Sequence, residues 1–147
     1  MTQLEKVLYT AKAHTTGGRE GGRSRTSDGR LDVKLTAPWA KGDGTNPEQL
    51  FAVGWSSCFL SAIKLEAAAT KVRLPADVAV DAEVDLGETD SAYFLQARLN
   101  VRLPGIDRQT AQNLVDGAHR RCPYSKAVHG NIHVVTSLIA AEATSAA

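Results

Sequence analysis

Two cysteines, Cys58 and Cys122, are the only thiols in the chain, and their surroundings differ. Cys58 lies in NPEQLFAVGWSSCFL, a helix-start signal that runs into a nearly uncharged segment. On a helical wheel Phe51, Trp55, Cys58, Ala62 and Leu65 fall on one stripe with the thiol at its centre. A free cysteine in such a stripe behaves as a small buried hydrophobe. To react it must ionise, and an apolar site opposes ionisation, so a cation has to stand nearby. The dipole of its own helix cannot serve, because Cys58 lies twelve residues past Asn46, beyond the turn where that field acts. Lys64 projects from the opposite side of the wheel. The best source is the segment GGREGGRSR, whose Arg19, Arg23 and Arg25 stand among glycines that let backbone and guanidinium approach another surface. The competing reading of that segment is a solvated basic loop. Cys122, in CPYSKAVHGN, stands at the cap of a short helix with Pro123 in its first position, where a dipole lowers a thiol pKa. Local physics alone therefore leaves the choice of nucleophile open.

Other chemistries leave weaker marks. His119 and Cys122 are three residues apart and His129 and His133 can share a strand face, but two cysteines without a CxxC pair make a poor zinc signature. A cysteine hydrolase needs a thiol beside a histidine, and no spacing singles out one of the four histidines. The GxSxG and P-loop patterns are absent.

The elements that must position these residues follow from periodicity. A chain of 147 residues with 43% hydrophobic content suits a single domain spanning 1–147. Residues 5–14 alternate at Val7, Tyr9, Ala11 and Ala13, as a first strand does; Asp28-Gly29 turns into a second, with Leu31, Val33 and Leu35 on one side. Asn46, Pro47, Glu48 and Gln49 open a long helix that runs to about Val72. The stretch 78–103 alternates as an antiparallel hairpin with one buried face. A second helix runs from near Asp107 to about Cys122, where Pro123 stops it, and NIHVVTSLIA is a last strand. The order predicts an α+β fold of antiparallel sheets and two main helices, one long and buried, with a frayed tail at 141–147. Surface left over on two apolar helices suits a dimer.

A formal charge of +1 with no basic block outside 19–30 gives no general electrostatic case for nucleic acid or an anionic membrane surface. The N-terminus lacks a signal-peptide core, and no run reaches the roughly 20 apolar residues of a bilayer span. The expected location is the cytoplasm, where a stable structural disulfide is uncommon.

The succession TTGGREG, SDGRLDVKL, TNPEQLFAVGWSSCF and LPGIDRQTAQNLVDGAHRRCPYSKAVHGNI resembles the organic hydroperoxide resistance branch of the OsmC/Ohr family, in order and over nearly the whole chain. That resemblance implies a thiol-dependent peroxidase acting on alkyl and fatty-acid hydroperoxides, built as an intertwined homodimer with its sites at the subunit interface. It makes Cys58 the peroxidatic cysteine, Cys122 the resolving one, Arg19 the arginine beside the thiolate, and Glu48 the acid that holds the arginine. Arg23 is the substitute for Arg19. No cofactor is implied; the electron donor is the dihydrolipoyl group of a carrier protein. Phe51, Trp55 and Phe59 are then candidates to line a slot for an alkyl tail. The alternative is a non-catalytic thiol sensor or binding protein.

Overall fold

The computed structural model of the chain describes residues 1–140; the expected frayed tail, 141–147, lies outside them. The chain groups into two compact units, Met1–Pro47 and a second that begins at Glu48. Each carries a three-stranded sheet.

In the first unit β1 (Ala13–Thr16), β2 (Arg23–Thr26) and β3 (Asp32–Lys34) pair antiparallel in that order. The strand expected over 5–14 begins only at Ala13, and Val7, Leu8 and Tyr9 are exposed. The reason is a missing partner: Ala13 pairs with Thr26, where β2 ends, the Ser27 amide reaches the Lys12 carbonyl at 3.0 Å, and among the described residues no strand pairing extends to residues 5–12. The β1–β2 connection is a tight turn. Gly17 and Gly18 take φ of 70° and 63°, and the Gly22 amide donates to the Gly18 carbonyl at 3.0 Å. A Cβ at Gly22 would lie 2.1 Å from the Thr16 carbonyl oxygen, so no other residue fits.

The second unit is built on α1 (Pro47–Ala69), which starts directly after Asn46. It stops three residues short of the expected Val72 because its end is locked. Lys71 turns left-handed at φ 57°, the Val72 amide reaches the Ala67 carbonyl at 2.8 Å, and the Lys71 amide reaches that of Ala68. The hairpin of β4 (Ala79–Thr89) and β5 (Ala92–Arg102) turns on Asp90 and Ser91, both left-handed, as a two-residue loop between twisted strands requires. Tyr93, expected on the buried face, lies at the hairpin tip beyond the core and is exposed.

The last strand, β6 (His133–Leu138), runs parallel to β5, so this sheet is mixed and not antiparallel throughout. Two helices fill the connection that a parallel neighbour needs. They are α2 (Arg108–Arg121), capped by the Asp107 carboxylate on the Thr110 amide, and α3 (Pro123–Val128), capped at Cys122.

Trp55, Phe59 and Ile63 of α1, Leu99 and Val101 of β5, and Leu114, Val115 and Ala118 of α2 close into one core. Burying each of the larger side chains contributes about 1.5–3 kcal/mol. Leu65, assigned to the apolar stripe, is 61% exposed, because the helix turns its Phe59–Ile63 side and not its Leu65 side to the sheet. With 23 residues and a mean hydropathy of 1.2 over its most apolar window, α1 is long and apolar enough to cross a membrane, contrary to expectation. Its large side chains nonetheless pack into the core shared with β5 and α2.

Candidate active site

The two thiols are 64 residues apart in sequence and 3.4 Å apart in space, the Cys122 Sγ–H directed at the Cys58 sulfur. Cys58 stands near the middle of α1, and Cys122 where α2 gives way to α3. Their accessibility differs: Cys122 is fully buried and Cys58 partly exposed. Of the two, Cys58 is the thiol that a molecule from outside can reach.

Electrostatics put Cys58 under the constraint read from its sequence. Burial pushes its thiol above the ordinary value; the Tyr124 backbone N–H, at the start of α3, opposes this, and neighbouring Cys122 adds to the upward shift. A cation is still required for the thiolate at neutral pH. Of the three candidate arginines, Arg23 is clamped by both oxygens of Asp32, at 2.7 and 2.9 Å, and Arg25 also faces Asp32 at 3.9 Å. Arg19 is half-buried in the glycine turn. Glu48 sits in the first turn of α1, and because α1 is unbroken it lies ten residues, about 15 Å along the axis, from Cys58.

The aromatic candidates separate. Phe51 is partly exposed and meets Trp55 and Tyr124 edge-on at 5.7 and 6.0 Å. Trp55 and Phe59 are wholly buried, so in the described chain they pack the core and offer no open face beside the thiols. A cavity of about 730 Å³ has Trp55, His119, Ser125, Lys126, His129 and Thr136 in its wall, and neither cysteine. Among the described residues no group of three or more His, Cys, Asp or Glu is placed to hold a metal ion.

A polar network beside the thiols had no counterpart in the sequence reading. The Trp55 Nε1–H donates to Ser125 Oγ at 3.1 Å, Ser125 Oγ meets His119 Nδ1 at 3.1 Å, and His119 Nε2 meets Thr136 Oγ1 at 2.9 Å. It joins α1, α3, α2 and β6. The available signal was spacing: His119 three residues before Cys122 and Ser125 three after it, on the two helices that meet there. His119 also lies against the Phe59 ring at 4.6 Å, and burial holds its imidazole below the ordinary value of 6.5, in the neutral form.

Comparison with known proteins gives the chain a family. The family described as OsmC-like protein matches residues 40–137, which include both thiols. The chain belongs to the OsmC family. Within it, the chain falls among the organic hydroperoxide resistance proteins. The organic hydroperoxide resistance protein of Xanthomonas axonopodis pv. citri is 49% identical over 142 residues, covering 94% of this chain and 99% of its own. OhrB of Bacillus subtilis is 41% identical over 137 residues, covering 90% and 98%. The crystal structure of OhrB superposes with a TM-score of 0.85 at 38% identity, covering 90% of this chain and 100% of that one. This OsmC-family chain thus has the α+β fold expected of it, and the similarity to its relatives extends beyond the residues of the family match.

Proposed function

We propose that this protein is a cysteine-based peroxidase that reduces organic hydroperoxides to alcohols and so detoxifies them. The observation that carries this is the 3.4 Å approach of a part-exposed and a buried thiol. Similarity to organic hydroperoxide resistance proteins along almost the full length supports the substrate class.

The Cys58 thiolate attacks the distal peroxide oxygen, the O–O bond breaks, and the alkoxide leaves as alcohol after taking a proton. The sulfur, having lost two electrons, is a sulfenic acid. Cys122 then attacks that sulfur; an S–S bond forms, and hydroxide leaves with the Cys122 proton as water, ahead of irreversible over-oxidation. An external dithiol, the dihydrolipoyl group of a carrier protein, restores both thiols. No bound cofactor takes part.

Arg19 supplies the charge that offsets burial of the thiol, and Glu48 holds Arg19. Since Glu48 is too far along α1 to act at its own Cys58, the Arg19 and Glu48 serving one thiol come from the partner chain of a homodimer. Support for a dimer comes from the first unit: β1 is exposed at all four positions, and Leu8, Tyr9 and Trp39 are more than 70% exposed, a surface that asks for cover. Trp55 and Phe59 shape the floor of the site from beneath, and Phe51 offers the apolar contact, so an alkyl tail gains about 0.8 kcal/mol per buried methylene that hydrogen peroxide does not. The cytoplasm, with its reduced thiol pool, is the compartment that suits this cycle.

Steady-state assays with tert-butyl, fatty-acid and hydrogen peroxides, each with dihydrolipoamide or thioredoxin, test the function. Multiple turnovers with the organic substrates and dihydrolipoamide are expected. A single stoichiometric reaction would leave a sensor, and equal rates with hydrogen peroxide would remove the apolar selectivity.

A further inference from the structure

The two thiols meet because α3 is held against α1, and three contacts hold it. Tyr124 lies over Gly54, where a Cβ would come within 2.6 Å of the tyrosine hydroxyl, and its ring meets Phe51. Ser125 receives the Trp55 indole N–H at 3.1 Å. The same hydroxyl meets His119 Nδ1 at 3.1 Å, and His119 is anchored on β6 by Thr136 at 2.9 Å. Ser125 is 5% exposed and Trp55 not at all, so the bond between them is well shielded from water, while His119 and Thr136 are half-buried at the cavity wall. Cys122, by contrast, caps α3 with no side-chain bond to that helix, and the Lys126 amide bonds its carbonyl at 3.0 Å. Its amide is tied to α2 through the Ala118 carbonyl at 2.8 Å, so its position depends on both helices, and Ser125 and Tyr124 seat the second of them.

We propose that Ser125 and His119 are positioning residues for the disulfide step: their network with Trp55 and Thr136 keeps Cys122 within reach of Cys58, so that the sulfenic acid is captured before a second peroxide reaches it. This rests on the two-cysteine peroxidase cycle above. A disulfide has sulfurs about 2.05 Å apart. From 3.4 Å the thiols close by about 1.4 Å to bond. A misplacement of about 1 Å costs on the order of 100-fold in such an intramolecular step. The first step, attack by Cys58 on peroxide, uses neither the Ser125 nor the His119 side chain directly and meets them only through the Tyr124 amide that α3 presents to Cys58. The two residues thus act chiefly on a ratio, the rate of capture against the rate of over-oxidation, and much less on the rate of peroxide reduction.

Ser125→Ala and Ser125→Thr, with Thr136→Val at the far end of the network, form the test. The full-length protein is reduced and mixed with cumene hydroperoxide. Stopped-flow tryptophan fluorescence follows sulfenic acid formation and disulfide closure as separate phases, and intact mass gives the fraction of Cys58 reaching sulfinic acid per turnover. The Ser125→Ala protein is expected to form the sulfenic acid within about twofold of the native rate. It should close the disulfide about 10- to 100-fold more slowly, with sulfinic acid rising in proportion. Ser125→Thr should restore closure, and Thr136→Val, which is close in shape and removes the hydroxyl that meets His119 Nε2, should slow closure by a smaller factor. Closure at the native rate in Ser125→Ala overturns the proposal. Equal slowing of both phases in the two loss variants also overturns it, since that is what general loosening produces. Should Ser125→Ala not fold, Thr136→Val decides alone by the same two criteria. If the native protein forms no disulfide at all, it is the two-cysteine cycle that has failed.

Discussion

Cys122 is buried like a core residue and is also assigned a chemical step, and two substitutions separate these roles. Its exposure is 0%, and the polar contact its sulfur makes is with Cys58 at 3.4 Å. In Cys122→Ala the loss is the packing of one sulfur and the small void it leaves, about 1 kcal/mol. In Cys122→Ser the same packing is lost and a hydroxyl enters a dry site at a cost of about 1–3 kcal/mol, offset by about 1 kcal/mol if it bonds the Cys58 sulfur. The difference leaves Cys122→Ser about 1 kcal/mol less stable than Cys122→Ala, or about 2–4 °C in Tm for a chain of this size. Thermal melts in excess reductant, at one pH and one protein concentration, measure it. Both variants should reduce one equivalent of peroxide and neither should cycle with dithiol. A serine variant that melts at or above the alanine variant would contradict the picture of a thiol held by apolar packing. An alanine variant that cycles would contradict its chemical role.

Arg19→Ala should lower peroxidase activity at pH 7 at least about tenfold. It should also move the pH dependence of Cys58 alkylation upward, because only the Tyr124 amide is then left to oppose burial; Arg23→Ala, which breaks a surface pair with Asp32, should keep both, and the reverse pattern would reassign the arginine. His119 is held neutral by burial, with a folded value below its ordinary 6.5. The unfolded chain therefore binds the extra proton first, so stability should fall as pH drops below about 6.5 and level off once the folded form also protonates. His119→Gln should flatten that slope in urea melts; an unchanged slope would assign the titration elsewhere. Gly22→Ala forces a Cβ to 2.1 Å from the Thr16 carbonyl oxygen, so the β1–β2 turn should not form and activity should be lost, visible as protease cleavage within 13–26; a native digestion pattern would contradict it.

Much of the second unit was legible because its signals are local and agree with one another. Asn46-Pro47 starts α1, Asp107 caps α2 and Pro123 ends it, and the alternation of Ala97, Leu99 and Val101 marks the buried face of β5. The signals that misled are those where tertiary partners decide. Val7 and Tyr9 alternate like a strand but have no edge to pair with, and Leu65 shares a wheel stripe with Trp55 yet faces away from the sheet. The direction of β6 depends on α2 and α3 returning the chain beside β5, and no residue within His133–Leu138 encodes that. At the site, each cysteine could be found from its own surroundings, but their approach spans 64 residues and no periodicity reports it. Trp55 and Phe59, aromatic side chains on a reactive helix, suit either a slot or a core, and their burial and the cavity that Trp55 borders are properties of the fold.

The central claim is that Cys58 and Cys122 act as one redox pair, and a single titration tests it most directly. The reduced protein is given one equivalent of cumene hydroperoxide, then examined by intact mass and by peptide mapping without reduction. The account predicts a loss of two protons and one peptide pair joined through Cys58 and Cys122. An unchanged mass, a sulfinic acid at Cys58 with Cys122 still reduced, or a disulfide joining other partners would contradict it.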